Sequence, residues 1–314
     1  MASIASPRSA RLFISIFFRT PFSSSVPELE TLGLSERDLT SLQLSLDKPY
    51  GNIIVGGPTG SGKTTTVYSI LEYLKRKDDT QKMCTVEYGP LHRIEGVSQI
   101  NIDSYSPDTE RLLTADKALK TILRNDPDVI MCGEIRDKET ARTVIDAGLS
   151  GHKVISELHI TKTVGAIQRL NRLDVRNYLI GNSVNACMAQ QLVRELCPVC
   201  KYPVPFGEDL FDLDNLTARA YKLISGHPRT GDIVYIQNSQ GCKECSYTGI
   251  RKRIPIFEIL VIEKEFKVAL EKGELEMKEL NSLFRESYHN TMFENALDKA
   301  FEGKISCEEA TLLV

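Results

Sequence analysis

No stretch of the 314-residue chain stays apolar for the roughly 20 residues that a membrane-spanning helix needs. The longest such run, Leu12-Phe-Ile-Ser-Ile-Phe-Phe18, is far too short. A basic block is missing too, and with a net charge of −3 nucleic acid is excluded as the main partner. Internal repeats and low-complexity tracts are absent. Acidic residues are absent from Met1 to Pro27, which carries Arg8, Arg11, Arg19 and many serines, a composition shared with transit peptides and weak signal sequences. No small-residue cleavage site follows Phe18 cleanly, and Arg11 to Arg19 reads as one β-strand, the preferred of the two readings.

What is present begins with a core: 41% hydrophobic residues in a chain of this length suggest two domains, or one with an appendage. The stretch GGPTGSGKTTT, Gly56 to Thr66, fills the pattern G-x-x-x-x-G-K-[ST]. Asn52 to Val55 before it reads as a buried strand, and Val67, Ile70, Leu71 and Leu74 after it fall at helical spacing. A Gly-rich turn would need neither flank. Gly57, Pro58, Thr59, Gly60, Ser61, Gly62, Lys63, Thr64 and Thr65 are therefore candidates to cradle a nucleotide's phosphates. Backbone N–H groups and the helix N-terminus face the phosphate, Lys63 reaches the β/γ oxygens, and the Thr64 hydroxyl ligates Mg²⁺.

Around this loop, strands and helices alternate as a parallel sheet with crossover helices requires. Strands are expected at 82–86, 97–102, 128–132 and 154–156, and helices at 109–124, 138–147, 164–172 and 178–196. A helix led by Ser35 as N-cap precedes the loop. The expected fold is α/β: a P-loop NTPase core of RecA type with a mostly parallel central sheet, a small zinc-binding module and C-terminal helices. The expected boundaries are 1–27 for a strand-like N-terminal remnant, 28–196 for the ATPase core, 197–260 for the cysteine module and 261–314 for the helices.

The apolar run after Asp128 ends at Gly133-Glu134, where Glu134 is the natural candidate to polarise a water. An acidic residue after a strand can equally be an N-cap or a solvated turn. His152 and His159 flank the strand Val154 to Ser156, and a strand-end histidine facing the loop could bond a γ-phosphate. As structural groups they would need no such role.

Eight cysteines include two C-x-x-C pairs, Cys197/Cys200 and Cys242/Cys245, with 41 residues between the pairs. That spacing suits tetrahedral thiolate ligation of Zn²⁺ better than a disulfide framework, and it points to the cytoplasm. His227 is the one histidine between the pairs, so the metal is expected to be structural. Cys84, Cys132, Cys187 and Cys307 read as core thiols.

GPTGSGKTTT, DPDVIMCGEIRDKETA, SGHKVISELH, CPVC and GCKECSYTGIRKR, in this order, resemble the secretion ATPase superfamily, specifically the motors of type II secretion and type IV pilus assembly. The resemblance implies a homohexamer that hydrolyses ATP with Mg²⁺ at the cytoplasmic face of the inner membrane, touching the membrane only through partners. It would drive an inner-membrane platform protein to extrude pilin or pseudopilin. It also implies that Glu134 is the catalytic glutamate, that Glu87 in an acidic box helps hold Mg²⁺ or its water, and that His152 and His159 form a His box. Arg124 and Arg136 would order the site.

Several positions depart from the family pattern. Tyr88 stands where the acidic box has an aspartate, Glu157 where a small hydroxyl residue is usual, Ile160-Thr161-Lys162 follow His159, and Lys120 replaces an arginine. On this resemblance, the family's N-terminal domain, which reaches a neighbouring subunit's nucleotide, would be represented only by a strand-like remnant, Arg11 to Arg19. Two functions therefore stand: a motor, or a zinc-bearing subunit that binds nucleotide, turns it over little and works by docking on a motor or platform protein.

Overall fold

The structure is a computed structural model describing residues 26–91, 93–102, 113–211, 218–273, 275–287 and 289–314. The strand and targeting readings of Met1 to Pro27 fall almost wholly outside them. Helix α1 (Glu36–Asp47) starts where the sequence indicates, with the Ser35 hydroxyl accepting from the Asp38 N–H. It leads into β1 (Gly51–Gly56) and, through the phosphate-loop motif, into α2 (Lys63–Lys77). Then come β2 (Met83–Glu87), β3 (Ser98–Asn101), α3 (Ala115–Leu123), β4 (Val129–Glu134), α4 (Lys138–Leu149), β5 (Lys153–Leu158), α5 (Val164–Arg172) and α6 (Asn177–Ser183). The described part of the helix expected at 109–124 is α3.

Two long strands complete the main sheet: β6 (Val184–Leu196) and β9 (Ile250–Val261). Between them lie β7 (Tyr202–Pro205), α7 (Ala218–Ile224) and β8 (Ile233–Ile236). After them come α8 (Lys264–Glu271), α9 (Met277–Glu286), α10 (Met292–Phe301) and α11 (Cys307–Thr311). The seven strands run in the order β3-β2-β4-β5-β1-β6-β9. All neighbours are parallel except β6 and β9, which pair antiparallel from Ala186↔Val261 to Leu196↔Ile250.

Because side chains alternate across a strand, each central strand feeds two cores. Ile53 and Val55 of β1 pack with Val67, Ile70 and Leu71 of α2 on one face. Ile54 packs with Val144 and Ile145 of α4 on the other. A third core joins the distal parts of β6 and β9 to β8 and α10, through Val193, Ile256, Val234, Phe293 and Leu297. Cys84, Cys132, Cys187 and Cys307 are buried, as their apolar contexts indicate.

Two expectations are overturned. The helix expected over 178–196 is helical only as far as Ser183; from Val184 onward the chain is strand β6. Ala186, Met188, Gln190 and Leu192 favour helices in isolation, and a strand covered on both faces shows no alternation to betray it. The second is β9, which lies almost wholly inside the stretch expected as the cysteine module and is instead a strand of the main sheet. Pro255 is compatible with this strand because proline is admissible at a sheet edge, and β9 is the edge.

Glu258 of β9 is buried and fastens three elements. Its Oε1 accepts from the N–H and hydroxyl of Thr163, before α5, at 2.8 and 2.7 Å. Its Oε2 accepts from the Met292 N–H at the start of α10, at 3.1 Å.

Candidate nucleotide site and cysteine cluster

In a parallel sheet every strand delivers its C-terminal end to the same edge, and that edge holds the loop joining β1 to α2. Pro58, Thr59 and Gly60 form its exposed tip, while Gly57, Ser61 and Lys63 are buried. Gly60 and Gly62 have φ of +78° and +88°, a backbone conformation that favours glycine. Gly57 is required for a different reason: a Cβ there would lie 2.3 Å from Ser61 Oγ and 2.6 Å from Gln190 O. Gln190, on β6, donates to the Ser61 carbonyl at 2.7 Å and so braces the loop from the neighbouring strand.

Gly57→Ala is accordingly expected to weaken nucleotide binding by about 5- to 150-fold, since overpacking of this kind costs on the order of 1–3 kcal/mol. Titration with a fluorescent ATP analogue reads this directly. Undiminished affinity in a folded Gly57→Ala protein would mean that the close packing of the loop is unimportant.

Lys63 lies on the first turn of α2, and its Nζ donates to the Gly57 and Pro58 carbonyls at 2.9 and 3.0 Å. Burial lowers its pKa from the ordinary lysine value, while Glu157 and Glu134 pull the other way. The buried Ser61 hydroxyl has no protein partner among the described residues. A glycine-lined loop at a helix N-terminus, with a buried ammonium and an unsatisfied hydroxyl, fits a phosphate chain with its Mg²⁺. A cleft of about 680 Å³ opens from it, walled by Gly60, Thr65, Leu32, Leu192, Arg253 and Pro255.

Opposite the loop, Glu134 closes β4. Its Oε1 accepts from His159 Nε2 at 3.0 Å and its Oε2 from Arg136 Nε at 2.8 Å. The Arg136 guanidinium lies over the Tyr88 ring, 4.2 Å from its centroid. Tyr88 thus carries the arginine that carries Glu134. Glu87, at the end of β2, is buried and accepts from Tyr68 Oη at 2.6 Å and from Thr85 Oγ1 at 2.5 Å.

The structure gathers Lys63, Thr64, Glu87, Glu134, Arg136 and His159 at one edge and leaves two candidates at the other. His152 precedes β5, and its Nδ1 lies 2.8 Å from the Pro127 carbonyl, beside the start of β4. Its own carbonyl accepts from the Gly51 N–H at the start of β1, so the full length of the strand separates it from the loop. Arg124 is exposed at the end of α3, just before β4 enters the sheet. Neither residue reaches the phosphate loop of its own chain.

Sequence reasoning missed the roles of Gln190 and Glu157. Gln190 was hidden by the reading of β6 as helix. Glu157 was visible as an acid where a small hydroxyl residue is usual, and its place comes from the pairing Val55↔Glu157 between β1 and β5. It is buried close to the Thr64 side chain, which favours its charged form. Burial pushes its carboxyl up to about 7 against the pull of Thr64 and Lys63.

At the distal end of β6 and β9 the four motif cysteines converge, their sulfur atoms all within 4.8 Å of one another. Cys197–Cys242, Cys200–Cys245 and Cys242–Cys245 are each 3.8 Å apart. A tetrahedron with Zn–S bonds of about 2.3 Å has edges of about 3.8 Å, so the cluster fits a structural zinc. Desolvation opposes charge on Cys245, but N–H groups of Cys242 and Gly249 at 3.1 and 3.2 Å outweigh it and draw the thiol down to about 6. His227 packs instead against Phe206 and Phe301.

With the loop, Glu134 and the cysteine cluster in place, comparison with known proteins is decisive. A family model described as Type II/IV secretion system protein matches residues 10–312. The chain belongs to this family. The type II secretion system protein E of Pectobacterium carotovorum subsp. carotovorum is 35% identical over 282 residues, covering 90% of this chain and 52% of the relative. The type IV pilus assembly ATPase PilB of Thermus thermophilus is 33% identical over 290 residues, covering 91% of this chain and 30% of the relative. The chain thus spans about half the length of the secretion-system relatives it matches, and less of PilB.

Among solved structures, the pilus retraction motor PilT with bound ADP superposes with a TM-score of 0.64 at 19% identity, covering 93% of this chain and 68% of that one. The Legionella pneumophila ATPase DotB gives 0.62 at 23%, covering 93% and 66%. These two likenesses confirm the fold. No helix among the described residues is long and apolar enough to cross a membrane.

Proposed function

We propose that the chain binds ATP with Mg²⁺ and hydrolyses it, as the motor part of a machine that assembles pili or pseudopili or drives type II secretion. The observation that carries this reading is Glu134, held at the sheet edge between His159 and Arg136 and facing the loop that begins at Gly57. Gly57 to Thr65 hold the phosphates, Thr64 ligates the Mg²⁺, and Glu134 orients the attacking water. Bound Mg²⁺ would neutralise charge on the β- and γ-phosphates. Glu87 fixes Tyr68 and Thr85 beneath the site, and His159 and Arg136 aim Glu134.

The chain acts as a homohexamer at the cytoplasmic face of the inner membrane, against a platform protein, with a structural zinc in Cys197, Cys200, Cys242 and Cys245. The names of the protein E and PilB relatives support a secretion or pilus-assembly role, and, on the resemblance, the cysteine pairs favour an assembly or export motor over a retraction motor. The 28–196 segment is the ATPase core, with β9 added to its sheet; the segment between β6 and β9 is the cysteine module, followed by the C-terminal helices.

A second reading rests on Arg136. Seated on Tyr88 and bonded to Glu134, it holds the carboxylate that would otherwise address water, as a nucleotide-binding subunit with little turnover would require. Steady-state ATP hydrolysis and light-scattering mass, with and without Mg²⁺-ATP, separate the two. Turnover that rises as a ring forms and disappears in Lys63→Ala supports the motor; a monomer that binds ATP with no Lys63-dependent turnover supports the docking subunit.

A further inference from the structure

We propose that Glu157 is a carboxylate ligand of the nucleotide's Mg²⁺, supplied from β5 where β4 offers Gly133. The inference rests on the reading of the site as an ATP site and adds a metal ligand to it.

In phosphate-loop enzymes the hydroxyl residue of the loop shares the Mg²⁺ with an acid from a neighbouring strand. Gly133 occupies that place on β4 and has no carboxylate; the position of its missing Cβ lies 3.3 Å from the Val86 carbonyl, towards β2. Among the described residues, β2, β4 and β5 each bring one carboxylate to this edge of the sheet. Glu134 has one oxygen on His159 and the other on Arg136. Glu87 has one on Tyr68 and the other on Thr85. Glu157 is the one that register places beside Thr64, the residue whose hydroxyl meets the metal, and Thr64 and Lys63 both favour its charged form.

Its position follows from the sheet. β5 lies beside β1 with Glu157 opposite Val55, two pairs short of Gly57. Alternation puts Glu157 on the same face as Ile155, which packs in the core that contains Val67, Ile70 and Leu71 of α2. The side chain therefore sits beneath the first turn of α2, where Lys63 and Thr64 stand. Glu157 is 8% exposed, and Lys63 Nζ is bonded to two loop carbonyls. A carboxylate buried this deeply, with no salt bridge to it among the described residues, is costly unless a cation completes it. A hard oxygen-preferring cation placed between a threonine hydroxyl and a carboxylate is the occupant that this chemistry selects.

The test is metal binding. The affinity for a fluorescent ATP analogue is titrated against Mg²⁺, and Mn²⁺ bound to the nucleotide complex is followed by electron paramagnetic resonance, in wild type, Glu157→Gln and Glu157→Thr. Circular dichroism melts establish that the variants are folded. Expected is a Mg²⁺ half-saturation raised about tenfold in both variants and a matching loss of bound Mn²⁺, with affinity in EDTA unchanged or higher because a negative charge has gone. If both variants bind nucleotide and respond to Mg²⁺ and Mn²⁺ as the wild type does, Glu157 is a purely structural group beneath α2 and the proposal fails while the ATP site stands. If the wild type binds no nucleotide with or without Mg²⁺, the ATP reading itself fails and takes this proposal with it.

Discussion

Glu134→Gln is expected to lower ATP turnover by about 10²–10⁴-fold, the usual contribution of a positioned general base. Nucleotide affinity should stay within roughly threefold, because glutamine keeps the shape of glutamate and one acceptor for Arg136 or His159. The effect is large because the carboxylate is held at both oxygens, at 3.0 Å by His159 and 2.8 Å by Arg136, so few conformations compete with the one facing the loop. His159 should behave as a positioning residue: His159→Ala slows turnover by a smaller factor and leaves the affinity for ATP alone. Steady-state hydrolysis and equilibrium binding, measured on the same preparations, decide. Equal turnover in wild type and Glu134→Gln would remove this residue from the chemistry.

Cys200→Ser or Cys242→Ser is expected to remove one equivalent of zinc per chain and to unfold the segment between β6 and β9 without melting the main sheet. Structural zinc contributes on the order of 10–16 kcal/mol of apparent binding energy in small zinc folds, and here it adds to the packing of Phe206, Phe211, Ile224 and Val234 in the third core. β7 and β8 form only a two-stranded ribbon, and such a ribbon is marginal without further support. Cys245 is prepared for the metal by two backbone N–H groups that favour its thiolate. Elemental analysis of protein purified without chelators gives the stoichiometry, and limited proteolysis locates the loosened segment. A well-folded wild type with less than about a tenth of an equivalent of zinc would overturn the assignment, since a structural site of this strength retains its ion.

Much of the site was legible because its signals are local. The loop from Gly57 to Thr64 and the two cysteine pairs are defined by spacings of a few residues, which a sequence displays directly. The strand that ends at Glu134 was readable from its apolar run. What could not be read depends on which strand lies beside which, and on the end at which a residue stands. His152 and His159 flank one strand and look equivalent in sequence; the parallel sheet sends His159 to the phosphate edge and His152 to the opposite one. Arg124 is lost to the site for the same reason. β6 defeated the reading because its burial on both faces erases the period that distinguishes a strand from a helix, and Gln190 was hidden with it.

The antiparallel pair β6 and β9 joins the two ends of the molecule's chemistry. Gln190 holds the Ser61 carbonyl from β6, and Cys197 follows the last residue of that same strand, its N–H bonded to the Gly249 carbonyl just before β9. An antiparallel pair fixed at its base and tied at its tip by the cysteine cluster would move as one piece. At roughly 3.3 Å per residue the arm from Gln190 to Cys197 is about 20 Å long, and a tilt of about 10° at the phosphate loop would carry the cysteine cluster through about 4 Å. Displacements too small to separate packed side chains at the nucleotide would thus arrive at the far surface as a stroke of atomic-diameter size.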